Sequence, residues 1–375
     1  MHVVFVVDTL TFGGTELNAV RTAETFVSRG IQLTLVHFQT DGPLLARYVS
    51  LGVPCIHVPV VPFSRPAALS RATRLGRRLR ALQPDVVHAH DVYANIYCAA
   101  ARLSFPRMPL VTSRRWAQSV PRPILMPMNA MAHRLSQAVV TNSTELVPLL
   151  RSEGVKPSRV FVSPNFVSAA AAVPLSLSDL AKWRASIGVP AGATVVVCVA
   201  RLAPVKRHAD LIQAFAAALS VHPDLHMVLV GDGPLESALR VQALTAGIGN
   251  SITFTGQLGA PPLPQQLGDI IVSMSENEGF PNSLVEALIC ARPIIATRIG
   301  GTEEILNGGR NGIAVDVGDI HAAARAITTL ASDHELRKRS GDAGRLFAMT
   351  RYTEDAMMGA LLTAYRQAAK QASSH

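Results

Sequence analysis

"DIIVSMSENEGFPNSLVEALICARPIIAT", residues 269–297, contains one complete unit of the fold. DIIVSM (269–274) is an apolar, β-branched run of strand length. SENEGFPNS (275–283) can continue neither a strand nor a helix, because Gly279 and Pro281 break both. SLVEALIC (283–290) resumes a 3.6-residue period, and RPIIAT (292–297) is a second buried strand. A strand, a loop, a short helix and a strand make a parallel pair covered by a helix. Ser283 and Glu286 have the S-x-x-E spacing of a capping box, which predicts a helix starting at Ser283.

The same pattern runs outward in both directions. TVVVCVA (194–200), HMVLVG (226–231), ITFTG (252–256) and GIAVDV (312–317) surround the quoted unit. VVFVV (3–7), QLTLVHF (32–38), DVVHAH (85–90), PLVTS (109–113) and QAVVTNS (137–143) form an earlier series. Helical patterns such as 15–29 and 69–82 fall between these runs. Residues 166–190, rich in Ala, Ser and Pro, contain no strand and read as a connection with one short helix. The chain is therefore α/β, with two doubly wound halves whose ligands belong beyond the carboxyl ends of the strands.

Composition agrees with that reading. A chain of 375 residues suits two domains, and 49 % hydrophobic residues argue against disorder. Cys55, Cys98, Cys198 and Cys290 lie far apart without a CxxC pair, and read as reduced thiols of a cytosolic protein. The N-terminal apolar run reaches Asp8 without a basic lead-in, so it reads as a strand and not a signal peptide. No run approaches the ~18 apolar residues of a membrane span. A net charge of +9 favours anionic partners, and the arginine-rich stretch 65–80 reads as a solvated helix face or one lying on anionic lipid. Nucleic acid is disfavoured, because aromatics are 5 % of the chain and no stacking platform appears.

Capping accounts for Glu286 but not for Glu278. The loop between them frees backbone N–H groups at a helix N-terminus, which is an anion site. A carboxylate there repels phosphate but accepts hydrogen bonds from paired hydroxyls. A nucleotide sugar satisfies both requirements. Arg201 and Lys206, on the loop after strand 194–200, read either as solvated cations or as a clamp for a diphosphate leaving group. Gly13 and Gly14 follow the first strand and would let backbone approach a ligand. G-x-G-x-x-G is missing there, which disfavours a nicotinamide site. Gly231 and Gly233 read as a tight strand-to-helix turn. His88 and His90 alternate along one strand and share a face; a lone strand histidine reads as structural, and His90 is the one nearer the carboxyl end of the strand. No D-x-D pattern and no third ligand stand near them, so no metal is expected.

These motifs together resemble the retaining glycosyltransferases of the GT-B fold, family 4. E-G-F-P-N-S-L-V-E (278–286) looks like the family's E-x7-E signature. FGGTE (12–16), DVVHAHD (85–91), VARLAPVKRHADLIQAF (199–215), LVGDGPLESALR (229–240), GGTEEI (300–305) and NGIAVDVGD (311–319) follow in family order. The resemblance implies two Rossmann-like domains facing across a deep cleft. These are an acceptor-binding domain over 1–167, a nucleotide-sugar domain over 168–350, and a C-terminal helix in 351–375 crossing back to the first. It assigns Glu278 to the donor sugar and Glu286 to the ribose. Arg201 and Lys206 go to the diphosphate; Gly279 joins the donor set, and the backbone of Phe280, Pro281 (whose nitrogen carries no hydrogen), Asn282, Ser283 and Leu284 approaches the sugar and diphosphate. Gly13 and Gly14 join the donor set, and His90 joins Glu278, Arg201 and Lys206 in catalysis.

The implied activity is transfer of a sugar, with retention, from a nucleotide-diphospho-sugar such as a UDP-sugar. The acceptor is a hydroxyl of a lipid-linked or saccharide molecule, in cell-envelope or polysaccharide synthesis. No cofactor is implied beyond that co-substrate. The implied location is cytoplasmic, in peripheral contact with an anionic membrane face. Three departures stand out. Arg207 replaces a usual glycine, Ala291 replaces a glycine at a helix end, and Arg114 takes the place of a histidine just after the fifth strand. Arg114 is on that alignment a substrate candidate. A catalytically silent nucleotide-sugar-binding protein and a sugar-nucleotide epimerase are the rival readings.

Overall fold

The computed structural model describes residues 1–11, 13–116, 124–167, 171, 173–259 and 261–373. Phe12 of the first glycine loop and part of the connection expected over 166–190 lie outside them. The chain divides into two units, Met1–Asn165 with Glu354–His375, and Phe166–Thr353.

The first unit runs β1 (His2–Val7), α1 (Gly14–Ser28), β2 (Gln32–His37), α2 (Leu45–Ser50), β3 (Cys55–His57), α3 (Ala67–Ala81), β4 (Val86–Ala89), α4 (Val92–Ala101), β5 (Leu110–Arg114), α5 (Leu125–Leu135), β6 (Ala138–Thr141), α6 (Leu146–Ser152) and β7 (Val160–Val162). The second runs α7 (Leu177–Ser186), β8 (Thr194–Val199), α8 (His208–Leu219), β9 (Leu225–Val230), α9 (Glu236–Thr245), β10 (Ile252–Gly256), β11 (Ile270–Ser273), α10 (Asn282–Ile289), β12 (Ile294–Thr297), α11 (Thr302–Leu306), β13 (Gly312–Val315), α12 (Ile320–Ser332) and α13 (His334–Arg351). The last helix, α14 (Glu354–Ser373), belongs with the first unit.

Both sheets pair in parallel, in the orders β3-β2-β1-β4-β5-β6-β7 and β10-β9-β8-β11-β12-β13. The apolar runs become strands because each is covered on two faces. In β8, Val195 and Val197 face α10, with Leu284 and Leu288 in the same cluster. Val196 and Cys198 face the opposite layer, with Phe215 and Ile327. A strand buried on both sides needs continuous apolar sequence, and TVVVCV supplies it. Strands β3 and β7, which the sequence reading passed over, are three-residue edges of incomplete burial, too short for their apolar residues to stand out.

Helix α3 buries Ala72, Leu75 and Leu79 and exposes Arg74, Arg77, Arg78 and Arg80. Its Gly76 lies where a Cβ would stand 2.3 Å from the Ala101 carbonyl oxygen, so α3 and α4 meet backbone to backbone. Helix α14 buries Met357, Leu361 and Tyr365, and Arg29 of α1's C-cap pairs with Glu354 and Asp355. No helix among the described residues is long and apolar enough to cross a membrane.

The end of α10 contains a correctable flaw. Arg292 N–H donates to Ala287 O at 3.0 Å and Ala291 N–H to Leu288 O at 2.9 Å, which is a Schellman closure. That closure puts Ala291 at φ 54°, in the left-handed region where a Cβ is costly. Ala291→Gly is expected to stabilise the second unit by about 1 kcal/mol, seen as a rise of ~2–4 °C in its calorimetric transition. An unchanged or lower transition would show that the lost methyl contact outweighs the relieved backbone.

Candidate active site

In each sheet the strand order reverses beside the first strand, between β1 and β4 and between β8 and β11. Loops leaving the carboxyl ends of such neighbours diverge and open a crevice. Gly13, Gly14 and His90 sit by the first reversal, and Arg201, Lys206 and Glu278 by the second.

In the second unit, β8 leads to Arg201, which is exposed, and then to a 3₁₀ turn over Pro204–Lys206. Strand β11 leads to Ser275–Pro281 and α10. Glu276 N–H donates to Val205 O at 2.9 Å, which ties the two loops together. Lys206 Nζ forms an ion pair with Glu278 Oε1, and Ser275 Oγ donates to the same oxygen at 2.9 Å. Arg207, at φ 52°, turns away from this pair to Asp210 (2.6 Å) and Glu276 (3.2 Å). The position adopts the left-handed backbone that a glycine would favour, and its charge is spent on the loop.

Glycines allow this convergence. A Cβ on Gly231 would lie 2.1 Å from Ala200 O, and one on Gly233 2.4 Å from Leu202 O, so the β9 turn sits directly under the Arg201 loop. A Cβ on Gly300 would lie 2.1 Å from Glu278 O. Gly301 N–H donates to Gly279 O at 3.2 Å.

Helix α10 starts at Asn282 with Pro281 as its cap, and no side chain closes that cap. The capping box expected from Ser283 and Glu286 is therefore a misreading. With Pro281 extended at φ −78° and ψ 106°, Ser283 is already inside the helix. Glu286 is 9 % exposed and accepts from Gln265 Nε2 at 2.8 Å. Phe280 and Leu284 are core side chains, so only their backbones can meet a ligand. Phe280 packs its ring edge-on against Tyr352 at 5.4 Å.

In the first unit, α1 begins at Gly14 with Gly13 as its cap, and Thr9 Oγ1 donates to Glu16 Oε1 at 2.7 Å beside it. His88 is fully buried, its Nδ1 bonded to Tyr365 Oη at 2.7 Å and its Nε2 to Ser113 Oγ at 2.8 Å. His90 packs against it, ring centroids 4.0 Å apart, at 2 % exposure, and neither of its ring nitrogens has a hydrogen-bond partner among the described residues. Burial, then the neighbouring His88 ring and the Arg115 guanidinium, hold His90 well below the usual imidazole range. Both histidines are neutral at neutral pH; burial and Arg115 act on His88 in the same sense.

Arg114 is placed differently from its sequence alignment. It is the last residue of β5, fully buried, with Nη2 3.1 Å from Glu153 Oε1 and its guanidinium 4.1 Å over the Trp116 ring. It shares its face with Thr112 and His133, away from His90. The residue that follows the strand is Arg115. Because side chains alternate, Arg115 lies on the Ser113 face, the face of His88 and His90. Arg115 is 6 % exposed, and its Nη1 donates to Asn165 Oδ1 at 3.1 Å. The sequence reading missed Arg115, Ser275 and Gln265; for Arg115 the period of two counted from Ser113 was the available signal.

Residues 12–171 match the family model Glycosyltransferase Family 4, and residues 179–347 match Glycosyl transferases group 1. The chain is 25 % identical to the N-acetyl-alpha-D-glucosaminyl L-malate synthase of Bacillus anthracis, over 88 % of both chains. It is 27 % identical to a D-inositol 3-phosphate glycosyltransferase of Stackebrandtia nassauensis, over 95 % of this chain and 87 % of the other. Among solved structures, Anabaena Alr3699/HepE in complex with UDP matches with a TM-score of 0.83 at 24 % identity, covering all of both chains. A glycosyltransferase of Rickettsia africae ESF-5 matches at 0.84 with 20 % identity, over 98 % of both. Those two likenesses are of fold. With one family model on each doubly wound half and the paired parallel sheets of a GT-B architecture, the chain belongs to the group 1 glycosyltransferases.

Proposed function

We propose that this glycosyltransferase moves a sugar, with retention, from a nucleotide-diphospho-sugar to a hydroxyl of a lipid-linked or saccharide acceptor, and needs no metal ion to do so. The observation that carries this is the convergence of Lys206 and Glu278 at the β8–β11 reversal, with Arg201 on the same loop and the start of α10 beside them. A cation and a carboxylate held on adjoining loops suit a diphosphate and the sugar attached to it. When the donor's C1–O bond breaks, negative charge grows on the departing diphosphate, where Lys206 and Arg201 supply fixed positive charge. The acceptor oxygen bonds to C1 on the same face, and its proton passes to the diphosphate. Positioning and electrostatics supply the catalysis.

The relatives bear on the substrates. The names of two of them carry L-malate and D-inositol 3-phosphate, and another is a lipopolysaccharide core biosynthesis glycosyltransferase of Rhizobium meliloti, 30 % identical over 48 % of this chain and 52 % of that one. HepE is also solved with UDP-glucose, which makes UDP-sugars the first donors to try.

The experiment is donor hydrolysis without acceptor, followed by proton NMR over a panel of UDP-, GDP- and ADP-sugars with and without excess EDTA. Slow release of free sugar with the donor's anomeric configuration, unaffected by EDTA, is the expected result. Loss of release in EDTA that Mn²⁺ restores would overturn metal independence. No release from any donor above the buffer rate would favour a silent binding protein.

A further inference from the structure

On the His88 face, the carboxyl ends of β4 and β5 hold two polar groups left with unsatisfied atoms among the described residues; Arg114 on the other face, whose guanidinium nitrogens also lack hydrogen bonds, has its charge met by Glu153. Among the described residues Arg115 has one side-chain hydrogen-bond partner, the neutral amide of Asn165, and its Nε has none. Among the described residues no carboxylate lies within ion-pair distance of it. Asp91, whose charge reaches it, accepts instead from Val92 N–H at 2.8 Å and Trp116 Nε1 at 3.3 Å. His90, on the same face, has two ring nitrogens without hydrogen-bond partners among the described residues. Its neighbour His88 cannot turn to help, because both its nitrogens are committed. Buried polar groups are normally paired, and an uncompensated buried cation is rarer still. A guanidinium and a neutral imidazole lacking partners on one face define what would complete them: a group with negative charge that also accepts a hydrogen bond.

We infer that Arg115 and His90 form an anion-binding site in the first unit, which takes a phosphate or carboxylate of the acceptor. This rests on the proposed glycosyl transfer for the word acceptor alone; the anion site itself rests on the geometry. Arg115 grips the anion with its free Nε edge, and His90 donates one ring N–H. The site selects acceptors that carry the charge near the reacting hydroxyl, and rejects neutral analogues by leaving the guanidinium buried and unpaired.

The test follows Trp116, which adjoins the site through Asp91, in a full-length Trp183→Phe background where it is the only tryptophan. Inorganic phosphate, glucuronate and glucose are titrated by fluorescence. A saturable response to phosphate or glucuronate and none to glucose is expected. Phosphate alone identifies a phosphoryl source, and glucuronate alone a carboxylate source. Arg115→Gln should weaken the response at least about 10-fold and Arg115→Lys by less than Arg115→Gln, since lysine keeps the point charge but not the guanidinium edge. His90→Gln, which leaves the guanidinium in place, is the second arm should Arg115→Gln fail to fold, and should weaken binding about 3- to 10-fold.

The inference is overturned by no saturable response to either anion. It is equally overturned if folded Arg115→Gln binds as tightly as its parent, or if His90→Gln does so when Arg115→Gln cannot be folded. UDP titration of the same proteins separates this from the donor reading, because Arg115→Gln should bind UDP like its parent. Anion binding without any nucleotide binding would leave the site standing and remove the donor reading. Normal UDP binding with Arg115-independent anion binding would remove the site alone.

Discussion

Lys206→Ala is expected to lower kcat/KM by about 10²–10³, the usual loss when one fixed group that stabilises developing charge is removed. Lys206 sits on a short 3₁₀ turn that Val205 anchors to the β11 loop, which fixes the place of its charge. Arg207, next in sequence, is held by Asp210 and Glu276 and faces elsewhere. The fold should tolerate the change. The Lys206 and Glu278 side chains keep 22 % and 17 % of their surface, and a partly solvated ion pair of this kind contributes on the order of 1 kcal/mol or less. Lys206→Arg keeps the charge but not its compact shape, and should recover part of the rate. Calorimetry alongside steady-state kinetics checks this. A folded Lys206→Ala enzyme within about threefold of its parent would remove Lys206 from the leaving-group site.

The second large effect separates the two glutamates. Glu278→Ala should weaken handling of the intact sugar nucleotide while leaving affinity for the bare nucleoside diphosphate nearly unchanged, because the carboxylate is placed for sugar hydroxyls. Its removal also frees Lys206, which acts in favour of the diphosphate. Glu286→Ala should weaken the bare nucleotide itself by about 1.5–3 kcal/mol, some 10- to 150-fold, the worth of a charged hydrogen bond to ribose. Glu286 is buried on α10 and accepts from Gln265, so its removal leaves that amide with only the longer bond to Ser283 O (3.3 Å) and costs on the order of 1 kcal/mol in stability. Melting is measured first for that reason. Isothermal titration with nucleoside diphosphate and with intact donor then reads the two roles. Equal losses of bare-nucleotide affinity in both variants would disprove the division.

Much of this could be read before any coordinates. The strands were legible wherever two-sided burial demanded unbroken Val and Ile, as in VVFVV and TVVVCV, and the helices wherever a 3.6 period followed. The loop at 275–283 was legible because Gly279 and Pro281 forbid both regular structures. Ser283 misled, since S-x-x-E spacing is local and Pro281 took the cap two residues earlier.

By itself the sequence determined the two doubly wound halves and where along the chain their strand-end loops fall, because periodicity, burial and breakers are properties of near neighbours. It also singled out Glu278, Glu286, Arg201, Lys206 and His90. The tertiary structure alone decided which of these meet. Lys206 and Glu278 are 72 residues apart and pair because β8 and β11 are adjacent at the reversal of strand order. His88 is locked by Tyr365, 277 residues away, which α14 brings back onto the first sheet. The choice between Arg114 and Arg115 also waited for the fold. Two identical side chains in succession point to opposite faces of a strand end, and only the packing of each face shows that Arg114 meets Glu153 while Arg115 meets the histidines.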